Sequence, residues 1–482
     1  MRAVRADPKV VRGARDGSTR TATGHALDSS DRRPRSLRPD RASLKAMKPV
    51  TIAAGGKWPL TVAARGKGPL NLVRRAEVIG ARYGVGPQRM DRRLAAVHEL
   101  LERYGCGATL PVTAAAVERN PHVIARYSAL GIEFAVHGYY HVDHTALSES
   151  DLLEQLGRAR RLLEAKGVPA VGFRAPYLRW NGATIDAVRA SGFLYDSSQA
   201  IDWGVHPELE TAAYRRALAF YGAVPAGERP VLPRSEDGIV RIPYCLPDDE
   251  AVLDRLGMTS PEAIGELWLG ILHATHRRGE LFTLAVHPER IGPCASAIGA
   301  VLQAARAARP KVWIARIQDM AQWWRARAAS TAAVTVRGPH RFHLSVHGPK
   351  GLTVLARDVE APAAEPWADR CFRVNATEFE IRAERRPFIG VHPDSPNSLS
   401  TFLRDQGYIV EVAESRDTHA YFLRRKQFSA ADERPLLDEL EAGGFPMVRL
   451  GRWPDGARSA LSVTGDVDAL TIWDYAFRFL GR

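Results

Sequence analysis

The stretch ALSVTGDVDAL, residues 460–470, places two carboxylates directly after a short apolar segment near the end of the 482-residue chain. Residues 460–463 are typical of a buried β-strand, and Asp466 and Asp468 follow at spacing i, i+2. Two acids at the end of a strand could supply a metal ligand and a general base, or they could be polar residues of a surface turn. The stretch alone leaves both alternatives open.

Apolar strands alternate with helical segments upstream of this stretch, from about residue 90 to residue 328. The predicted strands are residues 108–112, 132–136, 171–174, 193–195, 239–243, 282–286 and 312–315. Repeated strand–helix units with apolar strands indicate a parallel α/β sheet or barrel, and roughly seven or eight strands favour a barrel. In such barrels, functional side chains gather at the carboxyl ends of the strands.

Three of the predicted strands end in side chains suited to catalysis. The segments are EFAVHGYYHVDH (133–144), GFRAPY (172–177) and LFTLAVHPE (281–289). They offer His137 and His141, then Arg174, Pro176 and Tyr177, and finally His287. Two histidines at i, i+4 can bind one metal ion, although an isolated pair of this kind is more often structural or solvated. Because all three strand ends meet at one rim, we predict a single site there.

This ordered set of motifs resembles the polysaccharide deacetylase family (carbohydrate esterase family four) over about residues 93–328. SGFLYDSS, residues 191–198, resembles the family's strand that leads into an acid and a serine. The resemblance implies a distorted (β/α) barrel and metal-dependent removal of N- or O-acetyl groups from glycans. Some members of the family instead hydrolyse other C–N bonds, such as cyclic amides.

The resemblance also implies a role for each matched residue. His137 and His141 would be metal ligands, and Arg174 would orient the catalytic carboxylate. The backbone N–H of Tyr177, next to Pro176 at the substrate side, would help to hold the oxyanion. His287 would be the general acid that protonates the leaving group.

The family's first motif, T-F-D-D or T-F-D-x-D, is missing from its usual place. It should precede the helix near Leu94, but residues 71–91 contain no such strand. The carboxylates could be lost, which would leave a catalytically inactive glycan-binding barrel. Asp248 and Asp249 in IPYCLPDDE (242–250) could replace them, or could merely form an acidic first helical turn.

The third possibility is the opening stretch, since LSVTGDVDA is close to the missing motif. We hypothesise that the first strand has moved to the C-terminus, with Asp468 as third metal ligand and Asp466 as the base held by Arg174. The alternative is a surface pair in a capping turn. Outside these motifs, Trp203 could stack on a sugar ring, or could equally be a core residue.

The formal charge of +13 lies mostly near the N-terminus. Residues 1–50 hold 13 Lys and Arg against 5 Asp and Glu, which leaves 54 against 49 in the rest. Because positive and negative charges nearly balance after residue 50, a nucleic-acid partner is not expected. Residues 1–57 are predicted to be a disordered basic leader, or a mis-called start with Met47 as initiator. Four isolated cysteines, and no secretory signal or membrane-spanning run, favour a cytoplasmic protein.

The sequence thus predicts a barrel over residues 58–328, a β-rich module over 331–386, a small α/β segment over 387–450 and a strand–helix unit over 451–482 that completes the barrel. The expected activity is a metal-dependent hydrolase that removes an acetyl group from an N-acetylated sugar or polysaccharide precursor. The alternatives are a cyclic-amide hydrolase and the inactive barrel. The expected cofactor is a divalent ion, zinc ahead of cobalt, nickel or manganese, and the expected partner is a glycan or sugar-containing small molecule.

Overall fold

The computed structural model describes Gly80 and residues 82–476. The predicted leader, residues 1–57, lies outside the described residues, as do the first part of the predicted barrel segment and residues 477–482. The division of the chain into domains remains a prediction. Within the described residues, no helix combines the length and the apolar character that crossing a membrane requires.

The bounds of the helices follow in chain order. The α-helices are α1 (Gln88–Arg103), α2 (Ala114–Arg119), α3 (Pro121–Ala129), α4 (Glu149–Ala165), α5 (Gly182–Ala190), α6 (Ala212–Tyr221), α7 (Pro261–Arg278), α8 (Ile291–Ala307), α9 (Ile317–Ala328), α10 (Asn397–Asp405), α11 (Ala430–Ala442) and α12 (Ile472–Ala476). Short 3₁₀ turns lie at His144–Ala146, Pro176–Leu178, Pro288–Arg290 and Pro454–Gly456, and a π-helical turn lies at Ala251–Arg255.

The strands are numbered in the same way. They are β1 (Ala108–Val112), β2 (Glu133–Val136), β3 (Gly172–Phe173), β4 (Tyr195–Asp196), β5 (Ala200–Asp202), β6 (Val224–Pro225), β7 (Arg234–Glu236), β8 (Ile239–Arg241), β9 (Tyr244–Leu246), β10 (Leu281–Ala285), β11 (Val312–Ile314), β12 (Thr331–Gly338), β13 (Arg341–His347), β14 (Val354–Arg357), β15 (Ala364–Ala368), β16 (Cys371–Val374), β17 (Glu378–Arg382), β18 (Arg386–Val391), β19 (Val410–Val412), β20 (His419–Leu423), β21 (Met447–Leu450) and β22 (Ser459–Thr464).

The main sheet confirms the predicted α/β barrel class, in the form of a curled half-barrel. Its nine strands run in the order β10-β22-β1-β2-β3-β4-β8-β7, and β11 pairs with β22. All of these pairings are parallel except β7 with β8. Every residue of β1, β10 and β22 is buried, which is typical of parallel strands covered on both faces.

The C-terminal strand β22 lies between β10 and β1 in this sheet. Ala285 of β10 pairs with Thr464, and Ala108 of β1 pairs with Val463. The bridge between Val112 and Val467 continues the pairing beyond the strand. The C-terminal segment therefore supplies a strand of the sheet that is paired on both sides.

Local sequence signals explain how the helices around the sheet begin and end. α4 begins after Ser148, whose hydroxyl accepts a hydrogen bond from the Asp151 N–H at 3.2 Å. α7 begins after Ser260 with Pro261 in its first turn, and Gly279 ends it in the left-handed conformation at φ 69°. Because β10 follows directly, this stop fixes where that strand starts.

Residues beyond α9 form three smaller sheets. β12, β13 and β17 are antiparallel, and a second antiparallel sheet runs in the order β15-β16-β14-β21. β18 lies between β19 and β20, parallel to both. Since β21 pairs with β14, the predicted β-rich and α/β segments share one sheet. Trp453 follows β21, and its buried ring lies 5.6 Å from Trp324 of α9.

Candidate metal and catalytic site

Three side chains meet at the carboxyl end of the main sheet in a geometry that suits a metal ion. The ligand atoms of His137, His141 and Asp468 all lie within 4.8 Å of one another. Asp468 Oδ1 is 3.5 Å from His137 Nε2 and 3.2 Å from His141 Nε2. Ligands at about 2.0–2.2 Å from one tetrahedral ion are separated by roughly 3.3–3.6 Å, so these positions fit a common ion.

The hydrogen bonding of His137 supports this assignment. Its Nδ1 lies 2.9 Å from the carbonyl oxygen of Arg174, which can only accept, so Nδ1 carries the proton. Nε2 is then left with a lone pair, and within the described part of the chain this buried atom has no hydrogen-bond partner. Two imidazole nitrogens and one carboxylate form the three-ligand set of catalytic zinc sites, which keep an open position.

The loop after β22 holds both aspartates in place. The N–H of Val467 donates to the Pro111 carbonyl at 2.7 Å, and the Thr113 hydroxyl donates to the Asp468 carbonyl at 3.1 Å. A Cβ on Gly465 would lie 1.8 Å from the Val286 carbonyl oxygen, so a larger side chain has no room there. This close approach is the physical reason for glycine where the family motif often has phenylalanine.

Asp466 points to the other side of the cluster, toward Arg174. The Nη1 of Arg174 donates to Asp466 Oδ1 at 2.7 Å, and its Nε donates to the Ser197 carbonyl at 3.0 Å. Burial by itself would raise the pKa of Asp466, but the neighbouring His137 imidazole and Arg174 guanidinium outweigh it and lower that pKa below its ordinary value. Asp466 is therefore ionised and held in one orientation, with Oδ2 3.5 Å from His137 Nε2.

His287 follows β10 at the same rim and is paired with a buried acid. Its Nδ1 lies 2.7 Å from Asp249 Oδ1, and its backbone N–H donates to Asp249 Oδ2 at 2.9 Å. Burial would lower the pKa of His287, yet the negative charge of Asp249, with smaller contributions from Glu289 and Asp466, raises it well above its ordinary value. The imidazole is therefore charged at neutral pH and can donate a proton from Nε2.

The two candidate replacement carboxylates have other positions. Asp249 holds His287, as described, and Asp248 accepts from the Tyr244 hydroxyl at 2.7 Å and from the Ala251 N–H at 2.8 Å. Among the described residues, the acid that lies with the two histidines is Asp468. The sequence analysis missed the pairing of Asp249 with His287, although both follow strands that reach the same rim.

Tyr177 and Pro176 lie beside the histidine pair. The Tyr177 ring is 4.3 Å from the His141 ring, and its backbone adopts a left-handed conformation at φ 58° and ψ 15°. That conformation is uncommon for a residue with a side chain and is often found at functional sites. Phe220 lies 6.1 Å from Tyr177 and is exposed, so an aromatic edge borders the site.

Trp203 does not lie with these residues. Its indole packs against the hydrophobic core, and the Arg278 guanidinium is 5.3 Å from the ring centroid. Arg278 ends α7 just before β10 begins, whereas His287 lies beyond the opposite end of that strand. Trp203 is thus half-buried against the core, and its stacking on a sugar ring stays a prediction.

Comparison with known proteins gives similarities over part of the chain. Residues 76–195 match the polysaccharide deacetylase family. A peptidoglycan deacetylase-like protein of Gibberella zeae is 42% identical over 69 residues, which is 14% of this chain and 20% of that protein. The chain therefore matches about a fifth of the length of this curated relative.

Two crystal structures share part of the fold. Puue allantoinase is 21% identical with a TM-score of 0.39, over 48% of this chain and 72% of that chain. A family 4 carbohydrate esterase from Streptomyces lividans, in complex with acetate, is 16% identical with a TM-score of 0.29, over 45% of this chain and 82% of that chain. The sequence match shows that residues 76–195 are similar to the polysaccharide deacetylase family.

Proposed function

We propose that this protein is a metal-dependent hydrolase that removes an acetyl group, bound as amide or ester, from an N-acetylated sugar or polysaccharide precursor. One observation carries the proposal. A possible three-ligand metal site, an arginine-held aspartate and an aspartate-held histidine converge at one end of the sheet.

The metal would be held by His137, His141 and Asp468. A divalent ion there, zinc ahead of cobalt, nickel or manganese, supplies the Lewis acidity that makes water a nucleophile near neutral pH. The Arg174 carbonyl fixes the proton of His137 on Nδ1, so the Nε2 lone pair would be free to bind the metal.

The remaining residues would move protons and stabilise charge. Asp466 accepts the proton of the attacking water, and Arg174 keeps that carboxylate ionised and oriented. The backbone N–H of Tyr177 donates to the oxyanion that develops on the acetyl carbonyl. His287, charged through its contact with Asp249, then donates a proton to the departing amine or hydroxyl.

The test combines metal content with product release. We expect purified protein to retain about one zinc per chain and to release acetate from N-acetylglucosamine oligomers. Zinc retention with turnover of cyclic amides but not of acetylated sugars would instead favour the second reaction. Absence of bound metal after zinc loading, together with no acetate release, would refute the proposal and favour the inactive glycan-binding barrel.

The cytoplasmic location expected from the sequence is also part of this proposal. A cytoplasmic enzyme would act on sugar precursors rather than on finished cell wall. Cell fractionation with an antibody against the purified protein tests it, and recovery of the protein outside the cytoplasmic fraction would contradict it.

A further inference from the structure

A cavity lies at the opposite end of the sheet from the candidate metal site. Its volume is ≈ 320 Å³, and its lining includes Gly279 and Glu280 before β10, together with Ala457 and Arg458 before β22. The aspartates and His287 follow the carboxyl ends of the same two strands, seven or eight residues further on, which is roughly 20–25 Å at about 3.3 Å per strand residue. The remaining lining comes from the end of α7, from α11, and from β14, β15, β16 and β21 with the loops beside them.

The lining of this cavity, which we name the arginine cavity, is strongly basic. Eight arginines and four acidic residues line it, so positive charges exceed negative charges by four. Four of the arginines are almost fully buried at 4–7% exposure, namely Arg357, Arg434, Arg449 and Arg452. Buried arginine is rare unless it is paired, so the partners of these four groups matter.

The buried guanidinium groups have too few carboxylate partners. Arg449 and Arg452 both approach a single atom, Oε1 of Glu441, at 3.5 and 2.8 Å. Arg357 donates to the main-chain carbonyls of Leu440, Glu441 and Phe445 at 3.0–3.3 Å, which carry no formal charge. Burial would raise the pKa of Glu441, but the surrounding arginines lower it to about 2.

Two donors in the lining are unsatisfied. Arg434 pairs with Glu280 and Asp438, and Arg452 pairs with Glu441. Within the part of the chain that the structure describes, the buried Nε atoms of both arginines have no hydrogen-bond partner. A buried donor without an acceptor costs free energy, and both arginines belong to the lining of this basic cavity.

We propose that the arginine cavity binds a small molecule that carries a phosphate group. Planar guanidinium groups bind phosphate through paired N–H donors, which explains several arginines around one space. The volume lies at the lower end of the range of roughly 300–1,000 Å³ for small-molecule sites, and is much larger than a single ion needs. A nucleoside monophosphate and a sugar phosphate share the required chemistry.

The test uses calorimetric titration of the full-length, zinc-loaded protein at constant ionic strength. The probes are adenosine monophosphate, glucose 1-phosphate and, as an anion control, potassium sulfate. Two variants alter the cavity: Arg277→Gln with Arg370→Gln, which changes two exposed arginines of the lining, and Arg452→Lys, which keeps the charge but loses the planar group. Arg161→Gln, an exposed arginine on α4, is the matched control.

We expect either adenosine monophosphate or glucose 1-phosphate to bind. The one that binds shows whether the cavity takes a nucleotide or a sugar phosphate. Both cavity variants should weaken that binding about tenfold, because each loses charge-assisted hydrogen bonds, while Arg161→Gln should bind like the parent. Sulfate binding as tight as that of the esters would overturn the proposal. So would the absence of ester binding at millimolar concentration, or unchanged affinity in both cavity variants.

Discussion

The contact between Asp249 and His287 gives the sharpest test of the candidate site. The substitution Asp249→Asn preserves the shape of the side chain but removes the negative charge that raises the pKa of His287. Asp249 is fully buried and the His287 side chain is 12% exposed, so solvent screens the pair weakly. A charge-assisted hydrogen bond in such surroundings contributes about 1.5–3 kcal/mol, which corresponds to roughly one to two pH units.

The sign of the effect follows from the role of His287. As a general acid it must be protonated, so activity falls when the pH rises above its pKa. Because the variant lowers that pKa, the basic limb of the pH–rate profile should move to lower pH by about one to two units. The ion pair between His287 and Asp249 stabilises the folded protein fully below the ordinary histidine pKa of about 6.5. This stabilisation is lost as the pH rises through the raised pKa of His287.

Two measurements check this expectation. Acetate release as a function of pH reports the basic limb, and histidine-selective NMR titration of the zinc-loaded protein reports the His287 pKa without any need for substrate. Asp202→Asn is the matched control, since its carboxylate accepts from the Tyr214 hydroxyl at 2.6 Å and from the Gly204 N–H. An unchanged or raised His287 pKa in Asp249→Asn would refute the reasoning.

Three further substitutions test the metal ligands, the close packing at β22 and a buried ion pair. Asp468→Ala should lower the zinc content measured by elemental analysis roughly tenfold or more. The control Asp143→Ala, which removes the partner of Arg179, should leave the zinc content unchanged. Full zinc occupancy in Asp468→Ala would show that Asp468 is not a ligand. Gly465→Ala should lower the free energy of unfolding, measured in urea, by about 1–3 kcal/mol or more, because its Cβ would meet the Val286 carbonyl. The control Gly270→Ala in α7 has open space around its Cβ and should raise that free energy by about 0.5–1 kcal/mol. Equal effects of the two substitutions would contradict the packing argument. Burial would raise the pKa of Glu411, but its hydrogen bonds with His419 and Arg386 lower that pKa to about 2. The free energy of unfolding should therefore fall between about pH 4.5 and pH 2, and Glu411→Gln should reduce this loss by about 2–3 kcal/mol in acid titrations followed by circular dichroism. An unchanged acid transition in the variant would count against a stabilising role for these hydrogen bonds.

The sequence by itself determined the strand ends and the residues they carry. β1, β2 and β10 begin and end within one residue of the predicted bounds, because apolar runs and glycine or proline stops are local signals. His137, His141, Arg174 and His287 were predicted to share one rim because parallel strands direct their carboxyl ends to the same edge of a sheet. The resemblance to a known family supplied their chemical roles.

Only the tertiary structure decided which acids join them. Asp466, Asp468, Asp248 and Asp249 all follow apolar strands, and in the sequence only the likeness of LSVTGDVDA to the family motif favoured the first two. Because β22 pairs between β10 and β1, Asp466 reaches Arg174 and Asp468 reaches the two histidines, across more than 290 positions of chain. Asp249, which follows β9, reaches His287 instead. Contacts of this kind depend on strand order, which is set by packing between distant segments and leaves no local mark in the sequence.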